Sequence, residues 1–372
     1  MNYDVVILGG GIAGLSLSID LKDRGYAVAV IEKGNYPRHK VCGEYLSMES
    51  RNYLQKLYPT LSQLDLPLIK NFRLTSTAKK EFRTTLDLGG FGISRYLLEE
   101  LLYREAEKKG VVFLLNSKAL DINYETFNAI YSVKTNSQNV NAFLVCDSTG
   151  RKSHLETVEK NKTDIGTNYV GIKYHVKLSR DPSLIEIHNF PGGYCGISNI
   201  EGDKSCLCYI VNSKKLNRVG NSIAELENSV LFKNKHLEKI FNTAEFLFKE
   251  PVTISGINFR IKKSVTEKSF YLGDSAGSVA PITGNGMSVG LRSASVLAIL
   301  IDQCLSGKIT KRELTVHYKN FWYREFSTRI KWSRYFQKLS EYPLLAKITI
   351  GSFNSFPGLA KAMIKQTHGK PF

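Results

Sequence analysis

Five consecutive residues, Lys40-Val41-Cys42-Gly43-Glu44, set a cation, a thiol, a glycine and a carboxylate side by side. Three chemistries fit such a set: a metal site, a nucleophilic thiol, or a loop shaped around a bound cofactor. A metal needs further ligands within reach, and a thiol nucleophile needs a base held in place. His39 is a poor base, because nothing in the sequence fixes its position. Upstream, Gly9-x-Gly11-x-x-Gly14 points to a different chemistry, the cradling of phosphates by backbone N–H groups. Cys206 and Cys208, in "CLC", fall on one face of a strand, and the neighbouring sequence offers no two further ligands, so packing is the expectation and no metal site is assigned.

These residues need elements to hold them. "YDVVIL" (3–8) is a short β-branched apolar run, and the glycines follow at once. Ile12, Leu15 and Ile19 recur at helical spacing, Gly25 is a cap, and "YAVAVIEK" (26–33) is a second strand. Gly9 permits the tight turn, Gly11 lets backbone approach a pyrophosphate, and Gly14 allows close helix–strand packing. Glu32 ends the second strand about 20 residues on, where a carboxylate can bond ribose hydroxyls. This unit alone does not separate FAD from NAD.

A second stretch, "YLGDSAGSVAPITGNGMSVGLRSA" (271–294), delivers Gly273-Asp274 at the end of a buried strand. Gly284 and Gly286 then lead into a long helix over 286–305. Asp274 can bond a polyol chain, and the helix N-terminus can stabilise negative charge on a ring. Reduced flavin carries such charge at its pyrimidine end. The plain alternative is a glycine-rich turn with a buried aspartate capping a helix.

The bulk numbers set the frame. The chain has 372 residues, which favours two joined domains, and 42% hydrophobic and 11% aromatic residues suit a globular core. The six cysteines show no C-x-x-C pair and no disulfide framework. No signal peptide is read at the N-terminus, and the uncharged apolar run at 295–301 is too short to span a bilayer, so a cytoplasmic location is expected. The net charge of +17 favours anionic partners, but Lys and Arg are dispersed and no nucleic-acid motif is present. Amphipathic spacing predicts a helix over 95–110, strand patterns fill 70–89 and 167–255 with a helical insert near 222–247, and 311–372 reads as helical.

Together, Gly9-x-Gly11-x-x-Gly14, Glu32 and "GDSAG…PITGNGM" resemble the FAD-dependent group containing para-hydroxybenzoate hydroxylase. "KVCGE" and "VCDSTGRKS" (145–153) are similar to the geranylgeranyl-reductase-like branch, and Thr149 stands where the better-known form has an aspartate. The resemblance implies an α/β fold: a Rossmann-type FAD-binding domain (1–70, 91–165 and 256–310) interleaved with a β-rich substrate domain (71–90 and 166–255). A helical region (311–372) completes it. It implies FAD contacts from Gly9, Gly11, Ile12, Ala13, Gly14, Glu32 and Lys33. Further contacts are implied from Arg38, Lys40, Cys42 and Gly43 of the opening loop, from Arg95, Gly150 and Asp274, and from Gly284, Asn285, Gly286 and Met287. Backbone at Leu120 would face the adenine. Arg95 taken alone reads equally as a helix-start arginine paired with a carboxylate.

The implied activity is an FAD-dependent oxidoreductase acting on an apolar isoprenoid or polyketide-like molecule. Hydride transfer from reduced flavin leads, and a monooxygenase using NAD(P)H and oxygen is the alternative; no second G-x-G-x-x-G is present, so no dedicated nicotinamide domain is read, and transiently bound NAD(P)H or another donor supplies the electrons. Neither Trp322 nor Trp332 lies in a W-x-W-x-I-P motif, which makes a halogenase remote, as is a non-catalytic flavin or lipid carrier. Cys42, Glu44 and Tyr194 are catalytic candidates by position, and Tyr194 and Cys195 are expected on the pocket wall, the plain alternative being a β-hairpin with aromatic packing. Residues 331–366, with Trp332, Tyr335, Phe336, Leu344, Leu345, Phe353 and Phe356 among many Lys and Arg, read either as an ordinary helical cap on the core or as a segment that closes an apolar tunnel and rests on an anionic membrane.

Overall fold

A computed structural model describes residues 2–126, 129–151, 168–259 and 261–372. Lys152 and Ser153 of the "VCDSTGRKS" stretch lie outside the described residues. β1 (Asn2–Leu8), α1 (Ile12–Asp23) and β2 (Val28–Ile31) form the first parallel unit, with Val5–Leu8 registered on Val28–Ile31. β1 is buried on both faces, as expected of a strand central to a parallel sheet.

The chain then leaves this layer through β3 (Tyr45–Ser47), α2 (Arg51–Leu57), β4 (Leu68–Thr75) and β5 (Glu81–Gly92). It returns with α3 (Arg95–Lys108), β6 (Val112–Leu114), β7 (Ala119–Glu125), β8 (Ile130–Thr135) and β9 (Asn139–Asp147). β10 (Tyr169–Lys177), β11 (Leu184–Phe190), β12 (Gly193–Ile200) and β13 (Lys204–Asn212) follow as the main strands of the second sheet. α4 (Ser213–Arg218), α5 (Ile223–Ser229) and α6 (Lys235–Thr243) cover them, and β14 (Glu245–Phe246) and β15 (Val252–Ile257) add edges. β16 (Phe270–Tyr271) and α7 (Gly286–Leu305) rejoin the first layer, and α8 (Lys311–Glu341), α9 (Pro343–Ser355) and α10 (Pro357–Lys365) close the chain.

Among the described residues two sheets result. The first runs β6-β2-β1-β9-β8-β7, with β16 beside β9; the second runs β14-β10-β13-β12-β11-β4-β5-β3, with β15 beside β10. α1, α3 and α7 pack on the first sheet in one core that also takes Leu314, Tyr318, Trp322 and Phe326 of α8. α4–α6 cover one face of the second sheet. Its other face carries Tyr169, Ile187, Tyr194 and Ile210, and looks toward α8 and α9.

The helix expected over 286–305 is α7, bound for bound. β8 was not read from the sequence, because its short run "IYSVKT" alternates weakly between long polar turns. By length and composition α7 could also cross a bilayer, which the 295–301 run alone did not suggest; half of it is buried, packed on α1 and α8.

Candidate flavin site

The cradle begins where β1 stops. Gly9 has φ +90°, and a Cβ there would sit 2.7 Å from the carbonyl oxygen of Ser148, so the turn accepts glycine alone. A Cβ on Gly14 would meet the Gly9 carbonyl at 2.1 Å; this residue packs helix on strand and does not face the cavity. Gly11 caps α1 with no side chain, and no acid stands in the first turn, so the N–H groups of Ile12 and Ala13 open onto the cavity. A Cβ on Gly11 would lie 3.6 Å from Lys40 Nζ and 3.9 Å from Arg95 Nη2. Two cations therefore converge on a helix N-terminus, a geometry that suits a pyrophosphate.

Glu99, on α3 and fully buried, organises these cations. It pairs with Arg95, with Lys40 at 3.1 Å and with Arg38 at 3.4 Å. Burial alone would push its carboxyl up, yet Arg95, Lys40 and Arg38 hold it down at about 2. Lys40 is pushed down to about 8, chiefly by burial, with Glu99 opposing and Arg95 adding to the fall. Arg95 Nε and Arg151 Nη1 are buried without a protein partner, as polar donors awaiting an anionic acceptor would be.

Glu32 accepts from the Gly10 N–H at 2.7 Å, from the Gly34 N–H at 3.0 Å and from Arg38 at 2.6 Å. Desolvation opposes its charge, but the Arg38 bond prevails and keeps the carboxyl below its ordinary value. It thus clamps the glycine loop, with Lys33 beside it on the cavity wall. At the other end Asp274 pairs with Arg151 at 3.0 Å, and Gly150, Gly284, Gly286 and Met287 line the wall.

The opening loop lies between these ends, with Lys40, Val41, Cys42 and Gly43 on the cavity wall. Glu44 ties it down. This carboxylate is fully buried at φ +56° and accepts from Lys173 Nζ at 2.5 Å and from the Arg95 N–H at 2.8 Å. His175 Nε2 stands 2.6 Å from its other oxygen. Burial would raise the Glu44 carboxyl, but His175 and Lys173 hold it below the usual range. Lys173 also donates to the Lys40 carbonyl at 3.2 Å, and Cys206 Sγ lies 3.2 Å from the Cys42 carbonyl.

Contrary to the expectation from sequence, two further potential ligands do surround Cys206: Glu44 and His175, their ligand atoms within 4.8 Å of one another. The Lys173 ammonium already neutralises that carboxylate, so the cluster works as an ion-pair tether.

Several expectations need correcting. The Leu120 side chain is half exposed on β7, outside the cavity lining, and the expectation concerned its backbone. Asn285 turns its amide to the Thr367 carbonyl, so only its glycine neighbours face the cavity. Cys195 points into the opposite core, among Ile172, Leu207 and Val211, while Tyr194 lines the wall. Sequence reading missed Lys173, His175 and Arg151. Two bases at i and i+2 on one face of a buried strand were the signal for a hidden carboxylate.

The cavity, about 880 Å³, does not end at the cradle. It continues into an apolar chamber walled by Phe72, Leu74, Ile187 and Ile210 of the second sheet and by Phe336, Leu339, Ala346 and Phe353 of α8 and α9. Met363, Ile364, Thr367 and His368 complete its rim.

A Rossmann-type cradle for two phosphates, continued to a second glycine-led helix N-terminus, defines an FAD-dependent oxidoreductase. The FAD dependent oxidoreductase family matches residues 4–41. The conditioned medium factor receptor 1 of Dictyostelium discoideum is 20% identical over 87% of this chain and 68% of its own. The digeranylgeranylglycerophospholipid reductase of Methanococcus vannielii is 24% identical over 93% of this chain and 89% of its own. A ubiquinone hydroxylase of Rhodospirillum rubrum is 25% identical over 79% and 71%. Among solved structures, the flavin-dependent brominase Bmp2 superposes with a TM-score of 0.78 at 19% identity, covering 99% of this chain and 93% of that one. The sequence resemblance to flavin-dependent reductases and hydroxylases is thereby borne out.

Proposed function

We propose that this flavoenzyme reduces a carbon–carbon double bond in a long apolar molecule, isoprenoid or polyketide-like. The observation that carries this reading is the apolar chamber that continues the cofactor cavity. When bound, FAD supplies the hydride. The chain's own residues do the rest. Lys40, Arg95 and the α1 N-terminus hold the phosphates, Glu32 and Asp274 orient the sugar and polyol parts, and Gly284 and Gly286 open the α7 N-terminus toward the ring. Phe72, Ile187, Phe336 and Phe353 exclude water from the space beside it.

A proton must also reach the substrate. Glu44 is saturated by three donors and held ionised, which removes it from that role. Tyr194 remains: burial pushes its hydroxyl well above its ordinary value, with Cys208 and Cys195 adding to the rise. It therefore keeps its proton beside the chamber. Cys42, the third candidate, also lies on the wall. NAD(P)H, bound transiently, is the proposed electron donor.

A monooxygenase is the second reading, favoured by the hydroxylase relative. Product analysis with reduced enzyme under nitrogen and under air separates the two. Oxygen-independent product heavier by two hydrogens supports the reductase; product formed only with oxygen and carrying its atom overturns it.

A further inference from the structure

The three helices that roof the chamber are apolar on their outer sides as well. Leu344 and Ile348, one turn apart on α9, are 67% and 55% exposed, and Phe356, at the α9–α10 junction, is 67% exposed. Leu345 and Leu359 are also exposed. These side chains do not line the cavity; Ala346, Thr349 and Phe353 of the same helices do. Between residues 342 and 360 the only charged residue is Lys347. An exposed stretch this long and this poor in charge is unusual for a surface facing only water.

The charge within this segment is mostly of one sign. Lys331, Arg334, Lys338, Lys347 and Lys365 stand exposed, against one acid in residues 331–366, Glu341, while Lys361 is paired with Asp87 of β5 at 3.7 Å. Glu341 is turned inward, accepting from Tyr169 and from Asn212. On α8, Trp332 and Tyr335 add exposed aromatic rings beside those cations, the pairing found where a protein meets a lipid headgroup layer.

We propose that the outer surface of α9 and the start of α10, rimmed by these cations, docks on an anionic lipid bilayer. Leu344, Ile348 and Phe356 enter the acyl boundary while Lys347 and Lys365 meet headgroups. The inner sides of the same helices wall the chamber, so docking sets the membrane against its roof. That last link, substrate drawn from the bilayer, rests on the apolar-substrate reading above; the docking surface itself does not.

The test is flotation of the full-length protein with vesicles of phosphatidylcholine alone and of phosphatidylcholine with phosphatidylglycerol. Binding to the mixed vesicles, weakened about tenfold or more at high salt, is the expected result. The variant Leu344→Gln/Ile348→Gln/Phe356→Ser should lose vesicle binding while keeping its melting temperature and flavin content. Lys347→Gln/Lys365→Gln should lose selectivity for the anionic vesicles. Absence of flotation with both vesicle types would overturn the proposal. So would a dimer in size-exclusion chromatography that the triple variant converts to monomer, since a second copy would then cover the face. Failure of the redox reading would show separately, as vesicle binding by a protein that reduces no double bond.

Discussion

Lys173→Met tests the tether beneath the opening loop. The substitution keeps most of the side chain's length and removes only the ammonium, leaving Glu44 buried and ionised with His175 and one backbone N–H. Both side chains of the ion pair are fully buried, so solvent screening does not dilute the effect. Breaking such a pair by removing one partner costs about 3–5 kcal/mol, and the two surviving donors place this case near the lower end. At 372 residues and about 2.1 cal/mol/K per residue, the unfolding entropy is roughly 0.8 kcal/mol/K, so the melting temperature should fall by about 4–6 °C. The assay is thermal unfolding followed by circular dichroism, run beside Glu44→Gln and the double variant. The double variant should lose about 2 kcal/mol less than the sum of the single losses. Flavin retention should fall as well, because Lys173 also holds the Lys40 carbonyl. A shift below about 1 °C in Lys173→Met, or strict additivity in the cycle, would refute the tether.

Other outcomes follow from the cradle. Gly11→Ala places a methyl at ordinary contact distance from Lys40 and Arg95, so the protein should fold and melt as before while flavin affinity drops more than about tenfold, measured by fluorescence titration. The Lys40 amine loses its proton near pH 8, so flavin retention should weaken as pH rises through about 8, and Lys40→Arg should move that loss to higher pH. Glu99, held at about 2 in the fold against an ordinary 4.5, contributes stability that is fully present above about pH 4.5 and lost as pH falls toward about 2; Glu99→Gln should flatten that limb of an acid-unfolding curve. If Tyr194 delivers the proton, Tyr194→Phe should lower turnover about 10²-fold or more with little change in flavin content, and Cys42→Ser should not.

The parts legible in the sequence were those written locally. The glycine spacing, the β-branched run before it and Glu32 after β2 all follow from what one short βαβ unit needs. α7 announced itself by an unbroken apolar periodicity behind a glycine-rich turn. The parts that were not legible depend on contacts between distant residues. Glu44 meets Lys173 and His175 across about 130 positions, and no pattern near either end specifies the other. Asn285 is turned by the Thr367 carbonyl, 82 positions away. Leu120 was assigned by resemblance, for its backbone, with no side-chain chemistry of its own to mark it. The chamber is composite: β4, β11, α8 and α9 each give it a few side chains, so its apolar character appears only once the two sheets and the closing helices are assembled.

The central claim is that this chain binds FAD in the cradle between α1 and α7. The direct measurement is the visible spectrum of the purified protein, with the released chromophore identified by chromatography. Flavin absorption bands and one FAD per chain are predicted, with the bands lost in Gly11→Ala. A colourless wild-type protein that takes up no FAD on reconstitution would contradict the claim.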